Sequence, residues 1–237
     1  MEEQATNRVN FRMGGFLFGG THQLTIRRGF SQARGVQPVK AYLRTGPNRV
    51  RIIAGRYRHR RLVFPPTEPP IRPTPDRVRE TLFNWLQGVV TGARCLDLFA
   101  GSGALGFEAL SRGANEVQFV DSHPVIAGYL REMLVQFQVE GSSVCTADAF
   151  TYLEGGIGRF DLIFLDPPFR DQRHALLLDA LNRGGHLNPH ALVFLEWHRD
   201  RSLKPLALPA GWIFRRQGHC GQVAFALAGP PALSGTG

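Results

Sequence analysis

Short apolar runs alternate with amphipathic stretches through the middle of the chain. The runs have the length and composition of buried strands, and they lie at Arg94–Leu98, Glu116–Val120, Ser143–Thr146, Asp161–Leu165 and Ala191–Glu196. Helical periodicity occupies the intervals between and beside them, near residues 104–112, 124–138, 148–154 and 171–183. Alternation of this kind predicts a mostly parallel sheet with helices on both faces.

Two β-hairpins are predicted on either side of this alternating region. Val50–Ala54 and Arg61–Phe64 flank a turn-like segment near the N-terminus. Trp212–Arg216 and Gln222–Ala228, joined by residues 217–221, predict an antiparallel hairpin that closes the sheet. The expected fold class is therefore α/β, with seven strands in the main sheet and a small additional hairpin.

A proline-rich segment separates the first hairpin from the main sheet. Prolines at positions 65, 66, 69, 70, 73 and 75 favour a stiff linker. Thr74 is predicted to cap a helix with Pro75 at its first position, and the apolar face of that helix comprises Val78, Leu82, Trp85 and Leu86. The predicted segments are a disordered extension at 1–48, the hairpin and linker at 49–73, the main domain at 74–228 and a disordered tail at 229–237.

Positive charge is concentrated in the first third of the chain. The 237 residues carry a net charge of +9, yet residues 1–67 hold 13 Lys/Arg against two acids, Glu2 and Glu3. The remaining residues hold 15 Lys/Arg and 17 acids. This asymmetry favours a polyanionic partner, most simply a nucleic acid, over a basic surface without a partner.

Four arginines cluster in the turn of the first hairpin, at positions 56, 58, 60 and 61. We predict that they contact phosphates, which position a protein on a nucleic acid without reading its bases. Because this turn is predicted to lie outside the main domain, replacing all four is expected to leave the melting temperature almost unchanged.

Cysteine usage and hydropathy narrow the class of protein further. Cys95, Cys145 and Cys220 are far apart and form no C-x-x-C pair, so neither a disulfide framework nor a metal site is expected. No apolar run is long enough to span a membrane. A reducing, cytoplasmic compartment is therefore expected.

A glycine-rich motif follows the first strand of the alternating region. Gly101, Gly103 and Gly106 match G-x-G-x-x-G in the segment Leu96–Gly106, which suits NAD, FAD or S-adenosylmethionine (SAM). Asp97 precedes the glycines, and a carboxylate there would repel a diphosphate but suit a cationic ligand such as SAM. A glycine turn that binds nothing is the alternative.

Further carboxylates follow the next two strands. Asp121 ends the second strand, and an acid at this place can accept hydrogen bonds from ribose hydroxyls. Asp148 follows the third strand and could accept a hydrogen bond from an adenine amino group. Either residue could instead be an ordinary helix cap.

The fourth strand ends in Asp166-Pro-Pro-Phe169. Two consecutive prolines stop the ladder and hold Asp166 and the nearby carbonyls rigidly at the carboxyl edge of the sheet, where α/β proteins bind ligands. An aromatic ring directly after them offers a stacking face. In this position the motif resembles the [DNS]-P-P-[YFW] signature of SAM-dependent methyltransferases that act on exocyclic amino nitrogens.

Four segments together narrow this resemblance: Arg51–Leu62, Arg72–Leu86, Cys95–Arg112 and Phe164–Arg170. They resemble the bacterial 16S ribosomal RNA guanine-N2 methyltransferases of the RsmD type over about residues 49–228. Two departures are visible: the N-terminal extension is longer, and His123 stands where the family often has a second acid. Asp121 alone therefore inherits the ribose-binding role.

The resemblance implies a Rossmann-like SAM-dependent methyltransferase fold and transfer of a methyl group to N2 of the guanine conventionally numbered 966. The RNA would be packaged in the small subunit or an assembly intermediate, and the enzyme is expected to be a monomer. The implied catalytic residues are Asp166, Pro167 and Phe169. The implied cofactor-binding residues are Asp97, Phe99, Ala100, Gly101, Ser102, Gly103, Asp121, Ser122, Asp148 and Ala149. The implied RNA-binding residues are Arg56, Arg58, Arg60, Arg61, Arg72 and Arg77.

Three other functions remain open at this point. The first is methylation of another exocyclic amine, in adenine, cytosine or protein glutamine, but such enzymes more often carry Asn before Pro-Pro. The second is an inactive RNA-binding assembly factor, which the intact Asp97, Asp121 and Asp166 disfavour. The third is a dinucleotide dehydrogenase, which Asp97 also disfavours. The segment Glu196-Trp-His198 ends a strand at the same predicted edge and could reach the pocket, but no role is assigned to it.

Overall fold

A small hairpin and a large sheet make up the β-structure of the computed structural model, which describes residues 48–155, 158–167, 173–199 and 206–231. The hairpin pairs β1, Arg49–Arg51, with β2, Arg61–Val63, in antiparallel register. The strands of the large sheet are β3 Arg94–Asp97, β4 Glu116–Asp121, β5 Ser143–Thr146, β6 Phe160–Leu165, β7 Leu187–His198, β8 Ile213–Cys220 and β9 Val223–Gly229.

The large sheet has the strand order β5-β4-β3-β6-β7-β9-β8. The first five strands in this order are parallel, while β9 runs antiparallel to both β7 and β8. The helices are α1 Asp76–Trp85, α2 Ala104–Ser111, α3 Pro124–Gln136, α4 Ala149–Glu154 and α5 His174–Arg183. This arrangement confirms the predicted mostly parallel α/β sheet with its antiparallel C-terminal hairpin.

Apolar side chains cover both faces of the sheet, because each parallel strand alternates its side chains between two buried layers. Phe107 of α2 packs on one face, with Phe119 of β4 at a ring-centroid distance of 5.2 Å. Leu178 of α5 belongs to the core on the other face, together with Ile163 of β6. The strand order reverses between β3 and β6, so the carboxyl ends of β3, β4 and β6 form the usual ligand-binding edge.

The N-terminal hairpin is part of the main core. Ile52, Tyr57 and Leu62 are buried in the same apolar cluster as the sheet residues. The Tyr57 ring meets the Phe137 ring edge-on at 5.0 Å, and the Arg56 N–H donates to the Ser111 carbonyl at the end of α2. The premise that this hairpin lies outside the main domain is therefore wrong.

Two local predictions also need correction. Helix α1 begins at Asp76 with Pro75 at the N-cap and has no side-chain cap, because the Thr74 hydroxyl is directed at Asp166 instead. Strand β8 continues to Cys220, through residues predicted as a loop, because Gly218 lets the strand pack closely on Phe225. The polar side chains of this segment lie on an edge strand, where they are exposed to solvent.

Some predicted features fall outside the described residues. These are the basic extension, apart from Asn48, the stacking residue Phe169, the first two residues of the fourth predicted helix and positions 232–237. Within the described part of the chain, no helix is long and apolar enough to cross a membrane.

Candidate active site

The glycine motif forms the turn between β3 and α2. Gly101 has a φ of 49° and Gly103 a φ of 75°, values in the left-handed region that favours glycine. A Cβ on Gly103 would lie 2.8 Å from Leu130, and one on Gly101 would touch Ile71 of the proline-rich linker at 3.5 Å. The linker therefore lies against the glycine turn and forms one side of this edge of the sheet.

The third glycine has a different role from the first two. Gly106 lies inside α2, where a Cβ would stand 2.2 Å from the Phe119 ring. Its N–H donates to Oδ2 of Asp97 at 3.0 Å. Gly106 therefore serves helix–strand packing and the orientation of Asp97.

Asp97 is a buried carboxyl at the end of β3, with 3% of its surface exposed. Burial raises its pKa to about 7; the Gly106 N–H opposes this shift, and the charges of Asp166 and Asp121 reinforce it. An acid placed here is ready to become ionised when a cation arrives, because a nearby positive charge favours the charged form.

Asp121 ends β4 and organises the turns around it. Its Oδ2 accepts the Gly101 N–H at 2.9 Å, and its Oδ1 accepts the His123 N–H at 2.8 Å. Burial raises the pKa of Asp121, and these two hydrogen bonds lower it. His123 itself caps α3, with Nδ1 accepting the Val125 N–H at 3.3 Å, so the described contact of this residue is local.

The remaining predicted cofactor-binding residues lie in the glycine turn or shortly after β4 and β5. Asp148 is exposed and caps α4 by accepting the Phe150 N–H at 2.9 Å. The Ser102 carbonyl accepts the Tyr129 hydroxyl at 3.2 Å, which ties the glycine turn to α3. Burial of the others varies: Ala100, Ser102 and Ala149 are buried, Phe99 is half-buried, and Ser122 is exposed.

Asp166 follows β6 directly, and the next residue, Pro167, is buried. The Thr74 hydroxyl donates to Oδ2 of Asp166 at 3.4 Å. Burial raises the pKa of Asp166 well above its ordinary value, the neighbouring Glu196 raises it further, and the Thr74 hydrogen bond lowers it.

The register of the sheet places three of the predicted acids on one face. Asp97 lies opposite Phe119 of β4 and Phe164 of β6. Asp121 lies two residues after Phe119, and Asp166 lies two residues after Phe164. Residues two apart in a strand share a face. Asp97, Asp121 and Asp166 therefore line the same side of the carboxyl edge, next to the glycine turn.

Glu196 is the site residue to which sequence reasoning assigned no role. It lies in β7 with 2% of its surface exposed, one position beyond the register pair Leu165–Leu195. Burial raises its pKa to about 7, and a Thr74 hydrogen bond lowers it. The sequence could have indicated Glu196 only as a charged residue that follows an apolar run. Which residue it meets depends on which strand lies beside β7, and the sequence does not show this.

The structure divides the predicted RNA-binding arginines between two places. Arg60 stacks on Phe137 at 3.7 Å and donates to the Gln136 carbonyl at 3.0 Å, so the hairpin turn lies at the C-terminal ends of α2 and α3. Helix α2 spans eight residues, which is about 12 Å, and its other end is the glycine turn. Exposed Arg58 and Arg61 belong to the hairpin, whereas exposed Arg72 and Arg77 flank Thr74 near Asp166.

Within the described residues, no group of three His, Cys, Asp or Glu side chains could hold a metal ion. The strand order, the glycine turn after β3 and the carboxylates at the ends of neighbouring strands define a Rossmann-like methyltransferase of the seven-stranded class.

Known proteins identify the family. The sequence profile of the family described as Conserved hypothetical protein 95 matches residues 50–229. Ribosomal RNA small subunit methyltransferase D of Escherichia coli strain K12 is 38% identical over 183 residues, which make up 77% of this chain and 91% of that protein. The protein of the same name from Haemophilus influenzae is 39% identical over 182 residues, 75% of this chain and 92% of that protein.

Solved structures agree with this match. The structure of yhhF from Escherichia coli, assigned there as a methyltransferase, has a TM-score of 0.71 and 37% identity, covering 78% of this chain and 99% of that one. The more distant SMU.776, complexed with SAH, has a TM-score of 0.54 at 14% identity and supports the fold alone. The chain belongs to the Conserved hypothetical protein 95 family, that of ribosomal RNA small subunit methyltransferase D, which confirms the resemblance found in its sequence.

Proposed function

We propose that this chain transfers a methyl group from SAM to the exocyclic N2 of one guanine in 16S ribosomal RNA, the guanine numbered 966. The observation that carries the proposal is the alignment of Asp97, Asp121 and Asp166 on one face beside the glycine turn. Family membership narrows the acceptor to small-subunit ribosomal RNA.

The residues at the carboxyl edge fit SAM. Gly101 leaves part of its backbone exposed at the turn, while Gly103 packs against Leu130. The carboxylates of Asp97 and Asp121 suit an ammonium group and ribose hydroxyls. Each oxygen of Asp121 accepts one N–H and keeps a lone pair for a further donor. Asp148 and Ala149 follow β5 and would contact the adenine. SAM supplies an electrophilic methyl group when it is bound.

The acceptor nitrogen needs help from the protein. The lone pair of guanine N2 is delocalised into the ring, which makes the amine a poor nucleophile. The Asp166 carboxylate and the Pro167 carbonyl would accept hydrogen bonds from the two N2 protons and favour a pyramidal nitrogen. Phe169 would stack on the extruded base, a contact worth about 1–3 kcal/mol. Holding the two reactants in line then lowers the barrier further.

The RNA would contact the protein at both of its arginine groups. Arg58 and Arg61 extend from the hairpin, and Arg72 and Arg77 lie near the target-base pocket. Contacts at two separate places on the protein suit a folded RNA within a particle better than a free nucleoside. We propose that a monomer acts in the cytoplasm on the small subunit or an assembly intermediate.

A methyl-transfer assay tests the acceptor. Small subunits from cells that lack this activity are incubated with labelled SAM, and the digested nucleosides are separated and analysed by mass. We expect N2-methylguanosine as the labelled product. Labelled N6-methyladenosine or N4-methylcytidine would instead identify another exocyclic-amine methyltransferase, and particle binding without methyl transfer would identify an inactive assembly factor.

Calorimetry tests the cofactor separately. We expect SAM to bind and NADH not to bind, because the buried Asp97 beside the glycine turn repels a diphosphate and attracts a cation. Tight NADH binding without a signal from SAM would contradict the proposed cofactor.

A further inference from the structure

Two carboxyl groups and one hydroxyl meet where β6 and β7 end. The two strands are parallel and in register up to the pair Leu165–Leu195, so Asp166 and Glu196 are the next residues along each strand. Residues at matching positions of neighbouring strands share a face. The Thr74 hydroxyl donates to Oδ2 of Asp166 at 3.4 Å.

When both carboxyl groups are ionised, this cluster has more acceptors than donors. Thr74 has a single hydroxyl proton for two carboxyl groups. Glu196 is 2% exposed, and its Oε2 has no hydrogen-bond partner among the described residues. A buried acceptor without a donor is costly, and native proteins retain one where a ligand or a catalytic role requires it. The unpaired Oε2 of Glu196, next to Asp166, is therefore available to accept a hydrogen bond from a substrate.

The Watson–Crick edge of guanine carries two neighbouring hydrogen-bond donors. Its N1–H lies directly beside the N2 amino group. The amino groups of adenine and cytosine lie beside an unprotonated ring nitrogen, which accepts a hydrogen bond and would be repelled by a carboxylate. A single acid at the end of β6 suits any of these amines, whereas a second acid beside it suits guanine.

We propose that Glu196 is a specificity-determining residue, whose carboxylate accepts the guanine N1–H while Asp166 accepts an N2–H. This inference rests on the proposed function, since it assigns the atoms of the same target base. Thr74 orients the Asp166 carboxyl group through its hydrogen bond, and the hydrogen bond between His174 Nε2 and the Glu196 carbonyl, at 2.9 Å, anchors the strand end.

The base analogue 2-aminopurine separates N1 from N2. It keeps the exocyclic amine at position 2, but its N1 is unprotonated and accepts a hydrogen bond. Small-subunit particles are reconstituted with 16S ribosomal RNA that carries either guanine or 2-aminopurine at the methylated position, introduced on a ligated synthetic segment. The kcat/KM for methyl transfer is then measured for the wild type, for Glu196→Gln and for Glu132→Gln.

The wild type should prefer guanine by about 10-fold to 100-fold, the discrimination that a good base-edge contact provides. Glu196→Gln should reduce or invert this ratio, because an amide N–H can donate to N1 of 2-aminopurine. Glu132→Gln is the matched control, since Glu132 of α3 also has a buried oxygen without a described partner. This control should keep the wild-type ratio.

Two results would overturn the inference: equal rates of the wild type on both bases, or a wild-type ratio in Glu196→Gln. Melting temperature and SAM affinity show whether Glu196→Gln is folded, and if it is not, the wild-type comparison alone decides. A wild type that methylates no guanine would reject the proposed function itself, which is visible before any variant is measured.

Discussion

Asp166 lies close to two groups that change its protonation, the Thr74 hydroxyl and the Glu196 carboxyl. Two carboxyl groups in a buried pair share protons, so their titration belongs to the pair rather than to either residue. The ionised form of Asp166 is the one that accepts most strongly from N2. Its surroundings therefore control how much of the enzyme is competent at a given pH.

Replacing Asp166 should affect turnover far more than folding. We expect Asp166→Ala to reduce kcat by about 100-fold or more, the usual effect of losing one group aligned with a reacting atom, with SAM affinity largely kept. Asp166→Asn should retain partial activity, because its amide oxygen still accepts one hydrogen bond. Single-turnover kinetics on small subunits measure both, and a near-normal rate in Asp166→Ala would remove this residue from the chemistry.

The raised pKa of Asp97 predicts a pH-dependent stability. In the folded chain this carboxyl takes up a proton as pH falls through about 7, whereas in the unfolded chain it does so near 4. The folded state binds the extra proton between these values, so the free energy of unfolding should fall as pH rises from about 4 to about 7. Asp121, Asp166 and Glu196 act in the same direction.

Asp97→Asn removes one of these protons and should make that decline shallower. The measurement is urea unfolding of the wild type and the variant at pH 5.5, 6.5 and 7.5 without SAM. Parallel curves for the two proteins would mean that Asp97 is ionised throughout and that its burial is compensated.

The hairpin turn shows how the arginines of a single element can differ in role. Arg60 covers the Phe137 ring and donates to a helix-end carbonyl, and Arg56 lies over Tyr57 at 4.9 Å. Arg58 and Arg61 are exposed. The expectation that all four could be replaced without any change in stability is therefore wrong for Arg60.

We expect the double variant Arg58→Gln, Arg61→Gln to weaken particle binding and leave the melting temperature unchanged. Each lost phosphate contact should reduce the slope of log affinity against log salt by somewhat under one unit. Arg60→Gln should lower the melting temperature slightly, because a cation–π contact at a partly exposed site contributes about 0.5–1 kcal/mol. Binding titrations at several salt concentrations and a thermal melt make the comparison. An unchanged salt slope in the double variant would exclude phosphate contacts by these residues.

A buried ion-pair network connects the hairpin to the methyltransferase core at the scale of the whole molecule. Arg79 of α1 and Glu108 of α2 are both fully buried, with Nη1 and Oε2 at 3.4 Å. Glu108 also accepts the Ile53 and Ala54 N–H groups of the hairpin at 2.8 and 3.1 Å, and Arg79 donates to the Arg51 carbonyl at 3.0 Å. The same helix that follows the glycine turn thus holds the hairpin in place.

Breaking this network should destabilise the whole protein. We expect Glu108→Ala to lower the free energy of unfolding by about 3–5 kcal/mol. It breaks the buried pair with Arg79, which keeps only its pair with Asp76, and it leaves the Ile53 and Ala54 N–H groups without their acceptor. The control is Asp179→Ala, which breaks an exposed pair with Arg183 and should cost less than about 1 kcal/mol. Denaturant unfolding followed by circular dichroism measures both. Equal losses in the two variants would show that the buried pair has no special role.

The sequence by itself determined the elements and the type of site. Strand and helix positions follow from local periodicity, and the glycine turn and the Asp166-Pro-Pro corner follow from residues with restricted or unusually free backbones. Asp97, Asp121 and Asp166 could be placed at one edge because each ends a strand, and parallel strands end together. These inferences need only neighbours in sequence, which is why the fold class and family followed from the chain alone.

Only the tertiary structure decided which side chains meet across elements. Glu196 became part of the site because β7 lies beside β6, and Thr74, predicted as a helix cap, instead donates a hydrogen bond to Asp166. The hairpin joined the core because its apolar residues meet Phe137 and its backbone meets Glu108. The hydrogen bonds among these contacts join residues 55 and 92 positions apart. Their free energy depends on strand order and burial, which no local pattern in the sequence encodes.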